Sequence, residues 1–314
     1  MTIVFNTRYL LLVLFSISIA ITLKYLIATS SNDKELYPYK PKYPPSMVIK
    51  KRCLLWDWTN TANIPDAIEK INFSGPLSSV SNWNAWAPPE LKNRLPFRPT
   101  VRGMEQLTDP NEWGMVSNND HAIIHYFNEP ERAGISPEKA AEMWKEKMVP
   151  LRKEKGKKII GPGCASDPGG EAWLEDFMKR IESMGEPPDF LGLHYYGPDG
   201  TAAIQYIEKM YVSLCLLGIL VDIHEYRHQK YPKYPVVVSE IASISRNKKE
   251  VFAFTAQVAN WFDQCPWVFE YSFFGCMAKL ADDFVSPEAQ LMNPDGTLRY
   301  LMQKLMNEQP MTGI

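Results

Sequence analysis

The chain has 314 residues, of which 45% are hydrophobic, 12% aromatic and 22% charged. That composition excludes a disordered polymer and allows a large buried core. Lys and Arg total 34 against 36 Asp and Glu, a formal charge of −2, so there is no electrostatic footprint for a nucleic-acid partner. The 9 tryptophans and 15 tyrosines stand out, and on a near-neutral chain they suit an uncharged ligand such as carbohydrate as well as they suit core packing.

The N-terminus carries one basic residue, Arg8, before an apolar run at 9–23; Lys24 interrupts the run and residues 25–28 resume it. This pattern reads as a secretory signal, with small-residue cleavage sites at Ser18-Ile19-Ala20 and Ala28-Thr29-Ser30. The competing reading is an uncleaved membrane tether through residues 9–28, with Lys24 snorkelling. Either route delivers the chain to the secretory lumen, in keeping with the sequon Asn72-Phe73-Ser74. The expected organisation is therefore signal or anchor at 1–30, a proline-rich linker at 31–46 and one domain at 47–314. Cys53, Cys164, Cys215, Cys265 and Cys276 form an odd set, which leaves at least one unpaired. They contain no C-x-x-C pair, so no metal or other cofactor is expected.

Beyond the linker, short apolar runs alternate with amphipathic stretches. Strands are predicted at 53–58, 76–83, 98–102, 121–127, 158–160, 190–194, 236–238 and 267–273. Helices are predicted from Pro137 to about Glu154, capped by Ser136, and at 171–184, 201–211, 248–264 and 297–306. Continuous apolar strands suit a parallel sheet covered on both faces. Eight of them with intervening helices predict an α/β fold, a single (β/α)8 TIM barrel. A doubly wound open sheet is the alternative, but Trp58-Thr59-Asn60-Thr61 lacks the glycine-rich first turn it would need.

Barrel enzymes place their chemistry at the C-terminal strand ends. Strand four ends in Asn128-Glu129-Pro130-Glu131 and strand seven in Ser239-Glu240-Ile241. Two glutamates facing each other across the mouth suit retaining glycoside hydrolysis, with Glu129 as acid/base and Glu240 as nucleophile. The acid needs a raised pKa, part of which the nearby Glu240 anion would supply. Asn128 is placed to bind the sugar hydroxyl beside the reacting carbon.

These landmarks resemble clan A glycoside hydrolases, and most closely glycoside hydrolase family 128, over about residues 52–302. The resemblance rests on Tyr126-Phe127-Asn128-Glu129-Pro130-Glu131, Gly161-Pro162, the helix beginning Glu171-Ala172-Trp173, Leu193-His194-Tyr195-Tyr196, Val238-Ser239-Glu240-Ile241-Ala242, Phe269-Glu270-Tyr271-Ser272-Phe273-Phe274-Gly275 and Asn293-Pro294-Asp295-Gly296. It implies an endo-β-1,3-glucanase-like activity on cell-wall polysaccharide by a secreted or tethered monomer. Phe273 stands where the family carries a strand-eight tryptophan, and Arg102 where a Trp-Gly step is expected. Strand ends add His194 as a ligand of sugar or support for Glu240. Tyr195, Tyr196, Tyr271 and Phe273 are expected sugar contacts, Trp56 and Trp83 (with Trp86) stacking platforms, and Asn82 a polar contact.

Two features compete with this reading. His224-Glu225-Tyr226-Arg227-His228 is a literal H-E-x-x-H zinc pattern, but Arg227 would lie beside the metal and Pro232 soon stops the helix; only Glu250 offers a third ligand. The apolar run 212–223 reads as an insert between two halves of one amphipathic helix, either a surface loop or a gene-model error spanning about 212–224. A non-catalytic glucan-binding protein on the same fold is the remaining alternative.

Overall fold

The computed structural model describes residues 48–215, 234–280 and 283–312, all within one compact unit, Pro45–Ile314. The expected signal or anchor, the linker, the H-E-x-x-H motif and most of the apolar run lie outside the described residues.

Eight strands follow in chain order: β1 Arg52–Leu55, β2 Leu77–Ser81, β3 Thr100–Val101, β4 Ile123–Tyr126, β5 Lys158–Ile160, β6 Leu191–Gly197, β7 Val236–Ser243 and β8 Val268–Phe273. They pair in the orders β2-β1-β8-β7-β6 and β3-β4-β5, and every pairing is parallel. Two parallel bridges, Val80 to Phe97 and Ile160 to Phe190, join the two groups. Arg98 N donates to Val80 O at 2.8 Å and Gly161 N to Phe190 O at 2.8 Å across those joins. Because the first and last strands are also hydrogen-bonded neighbours, the ring closes. This is the (β/α)8 barrel, and closure excludes the doubly wound open sheet.

Local chemistry explains the helices. Ser136 Oγ accepts from Lys139 N and Pro137 occupies the first turn of the helix Pro137–Met143. That helix passes through a π turn, Trp144–Met148, into Val149–Lys155. Pro150 supplies no N–H and would collide with the carbonyl of Glu146 in regular α geometry, so the ladder widens there. Asp167 caps Pro168–Ser183 and Asn247 caps Lys248–Gln264. The last helix begins at Tyr300 rather than 297, because Asp295 Oδ1 accepts from both the amide and the hydroxyl of Thr297 and forms a turn. The helix after β6 is Gly200–Cys215. It runs on past Tyr211, and Leu214 is fully buried, so the start of the apolar run packs into the core.

Strand alternation sorts residues to two faces. Inward, Cys53, Ser81, Arg98, Thr100, His125, Ser239, Glu270 and Ser272 line one polar cavity, within which Arg98 grips Glu270 at 3.0 and 3.1 Å. Outward, Arg52 is tied to Asp263 at 2.6 Å, Tyr271 Oη at 2.9 Å and the carbonyls of Leu305 and Glu308. This buried cation clamps β1 to the two C-terminal helices. Cys53, Cys164, Cys265 and Cys276 are free and buried. Burial pushes the thiols of Cys53 and Cys265 up to about 12, which leaves them unreactive at neutral pH.

Asp263→Ala strands the Arg52 charge in the core. We expect a loss of about 3–5 kcal/mol of unfolding free energy, measured by urea denaturation; a loss below about 1 kcal/mol would contradict the clamp.

Candidate active site

The end of β4 delivers Glu129 through a strained turn. Phe127 and Glu129 have φ of 51° and 43°, a left-handed region costing roughly 1–3 kcal/mol per side-chain-bearing residue. Main-chain bonds hold it: Asn128 N to Arg102 O at 3.2 Å, Glu129 N to Gly163 O at 2.7 Å and Gly163 N to Phe127 O at 3.1 Å. Glu129 keeps 23% of its side chain exposed, and Arg132 Nε approaches its outer oxygen at 3.5 Å.

Glu240, on β7, is almost enclosed, with 7% side-chain exposure. Trp83 Nε1 donates to its Oε1 at 2.6 Å and the Tyr196 hydroxyl donates to its Oε2 at 2.5 Å. Trp83 also has a positive φ, 60°, which turns its indole into the mouth. Both carboxylate oxygens are thereby fixed in orientation.

His194 lies between the two glutamates and is fully buried. Its Nδ1 is 3.3 Å from Glu129 Oε1 and 3.8 Å from Glu240 Oε2. One ligand-type atom from each of the three residues lies within 4.8 Å of the other two, a cluster dense enough to hold a cation. A protonated imidazole would itself supply positive charge there. Burial pushes His194 down, but Glu240 and then Glu129 outweigh it and hold the imidazole above its ordinary value. Burial pushes Glu129 up, but the hydrogen bond and charge of His194, with Arg132, outweigh that and hold the carboxyl below its ordinary value. The expected raised acid is therefore not present in the free site, because the imidazole stabilises its anion.

The remaining expected contacts divide by strand face. Tyr196 joins Glu240, and Asn128 lines the cavity beside it. Tyr195 points the other way and packs at a tilt against Tyr206, ring centroids 5.4 Å apart. Tyr271 and Phe273 face outward from β8 into the wall around Arg52 and Met302, and Tyr271 Oη donates to Asp263 at 2.6 Å. Trp56 is fully buried, with its Nε1 on Thr61. Asn82 is also buried and braces the following loop by donating to Trp86 O at 3.2 Å and accepting from Asn84 N. None of Tyr195, Tyr271, Phe273, Trp56 and Asn82 shares the mouth with Glu240.

The strand-eight aromatic at the mouth is Phe274, packed edge-on against Trp83 at 5.5 Å and Tyr196 at 6.1 Å. Phe284 continues the aromatic wall, 5.4 Å from Tyr196. Period-two alternation held the signal for Phe274, since polar Glu270 and Ser272 mark the inward face. Arg132 and Gly163 carried no comparable signal, because each matters through one spatial contact.

Tyr196→Phe removes a donor from Glu240, and we expect kcat to fall about 10- to 100-fold without loss of stability. Tyr271→Phe should do the reverse, lowering stability by about 1–3 kcal/mol with activity unchanged. Glycan turnover and thermal unfolding of the two variants check this; equal activity losses would contradict the face assignment.

Comparisons with known proteins agree with this geometry. Residues 56–304 match the family model described as the glycosyl hydrolase catalytic core. A search of curated protein sequences finds no match. Among solved structures, a GH128 subgroup VI exo-β-1,3-glucanase from Aureobasidium namibiae is 49% identical, with 85% of this chain and 100% of that one covered, at a TM-score of 0.76. A subgroup IV endo-β-1,3-glucanase from Lentinula edodes is 22% identical over 81% of this chain and 98% of that one, TM-score 0.63. A subgroup VII oligosaccharide-binding protein from Cryptococcus neoformans is 17% identical over 81% and 91%, TM-score 0.58. These last two share the fold. With the barrel closed, the two glutamates converged and 49% identity to the Aureobasidium enzyme over 85% of its own length, the chain belongs to glycoside hydrolase family 128.

Proposed function

We propose that this protein is a retaining β-1,3-glucanase in which Glu129 is the acid/base and Glu240 the nucleophile. The observation that carries the reading is the pair itself. Oxygens of the two carboxylates come within 4.8 Å, on the side of the short separation of about 5–5.5 Å used for direct attack rather than the 6.5–9.5 Å that leaves room for an inverting water. Trp83 and Tyr196 orient Glu240 so that a carboxylate oxygen can approach the anomeric carbon. Glu129, at the more open side, meets the leaving oxygen. The proton moves from Glu129 to that oxygen as the glycosidic bond breaks and the Glu240 ester forms; Glu129 then deprotonates the water that releases the sugar.

The Aureobasidium relative supports exo action, in place of the endo action that the family resemblance alone implied. The aromatic wall of Trp83, Phe274, Tyr196 and Phe284 offers flat apolar faces to the C–H faces of glucosyl rings. A polymer substrate and the N-terminal segment together support work outside the cell, on cell-wall glucan.

A binding role is the second reading. It draws on the lowered position of the Glu129 carboxyl beside His194 and on the oligosaccharide-binding protein that shares the fold. Laminarin turnover with anomer detection separates the two. We expect β-configured product first, a loss of about 10²–10⁴-fold in Glu129→Gln and about 10⁴-fold or more in Glu240→Gln. Binding without turnover by the wild type would favour the binding role, and net inversion would contradict the assigned pair.

A further inference from the structure

His194 and Arg132 hold the Glu129 carboxyl below its ordinary value before substrate arrives, yet glycoside cleavage needs it protonated. The structure contains a source for that proton. His194 Nδ1 is 3.3 Å from Glu129 Oε1 and 3.8 Å from Glu240 Oε2, and no part of the ring reaches solvent. The ring is pinned from behind. A Cβ on Gly163 would sit 2.3 Å from His194 Nε2 and 2.9 Å from Ser239 Oγ, so only glycine lets the imidazole lie against that main chain. Nε2 has no protein partner, so Nδ1 carries the functional contact.

We propose that His194 is the proton-holding positioning residue of the catalytic pair: its Nδ1 stores the proton that Glu129 passes to the leaving oxygen and recovers it, through Glu129, from the hydrolytic water. The inference rests on the acid/base and nucleophile reading above. Retaining hydrolysis needs one proton on Glu129 and none on Glu240. In the proposed resting state that same single proton sits on the imidazole, whose contact favours the Glu129 anion. Breaking Nδ1–H and forming Oε1–H on Glu129 therefore prepares the reactive state with no exchange with solvent. The glycosidic oxygen then takes the proton as its bond to carbon breaks and carbon bonds to Glu240. In the second half, water bonds to carbon as the Glu240 ester breaks; its proton goes to Glu129 and returns to Nδ1. A glucosyl unit over the mouth strips water from Glu129, which disfavours its anion and drives the transfer forward.

The neighbours are consistent with a single mobile proton. From β4, His125 is pushed down to about 3 by burial and by the charge of His194, so it stays neutral and takes no part. Glu131, next to the pair, adds negative charge toward His194 and is engaged by Ala165 N at 2.8 Å. Glu240 faces the ring from β7, and Tyr196 on β6 bonds Glu240. Arg132 lies on the exposed side of Glu129 and is shared with Asp167 at 2.8 Å.

The sign follows directly. A histidine raised by two carboxylates keeps its proton past its ordinary range, and the site loses it as pH rises through that raised value. If His194 holds the proton, that loss sets the basic limb of kcat/KM. Two measurements test this. In the intact wild-type enzyme, ¹⁵N imidazole NMR over pH 5–9 (a chain of five histidines) should show His194 as a cation at pH 6.5; a neutral ring at pH 6 overturns the proposal. In His194→Asn, kcat on laminari-oligosaccharides should fall about 10- to 100-fold and the basic limb should move down by about one pH unit or more. A dinitrophenyl glycoside, whose leaving group needs no proton, should be spared. Equal losses on both substrates with an unmoved limb would mean a merely structural histidine. Glu129→Gln and Glu240→Gln serve as controls: their retained activity would overturn the underlying reading, whereas their inactivity beside an unmoved His194→Asn profile overturns this inference alone.

Discussion

Two carboxylates with oxygens inside 4.8 Å would, when both are ionised, repel each other strongly in a half-buried site unless positive charge lies between them. A protonated His194 would meet that requirement, and much of the mouth is arranged to keep the ring there. Gly163 gives up a side chain so that the ring can lie flat. The same residue's carbonyl accepts from Glu129 N, so one stretch of main chain sets the position of both members of the closest pair. Glu240 is fixed separately, by Trp83 and Tyr196. The three ionisable groups thus depend on five elements that the closed barrel brings together: the loops after β2 and β5 and the ends of β4, β6 and β7.

Closure also explains where strain is tolerated. Trp83, Phe127 and Glu129 all adopt left-handed backbone, and all three lie in or beside the mouth. Such conformations persist where surrounding structure over-determines them. Below the mouth, the Arg98–Glu270 pair binds β8 to the segment entering β3; outside, the Arg52 cluster binds β1 to the C-terminal helices. Both are buried ion pairs with additional hydrogen bonds, the condition under which burying charge is tolerated. The wall is therefore braced where the two glutamates are anchored.

Much of this was legible in the sequence. Each of the eight apolar runs became a strand, because runs bounded by helices and turns have few other options in a covered parallel sheet. The two glutamates were visible because strand ends define the mouth. Side-chain facing was less legible. Tyr271 and Phe273 looked like cleft residues by position, but they share the outward face of β8, and the aromatic at the mouth is Phe274. Tyr195 and Tyr196 are adjacent and equally aromatic, yet only one points at Glu240. Trp56 and Asn82 sit near strand ends but are consumed by core packing and loop bracing. The downward shift of the Glu129 carboxyl was not legible, because the imidazole that stabilises its anion is 65 residues away in sequence.

The proposed attack of Glu240 on the anomeric carbon leaves a covalent ester. Its most direct test is trapping with a 2-deoxy-2-fluoroglucosyl donor bearing a good leaving group, followed by peptide mapping by mass spectrometry. The account predicts one fluoroglucosyl adduct, on the peptide containing Glu240, with time-dependent loss of activity. Inactivation with the label on another residue, or prompt turnover to inverted product with no adduct, would contradict it.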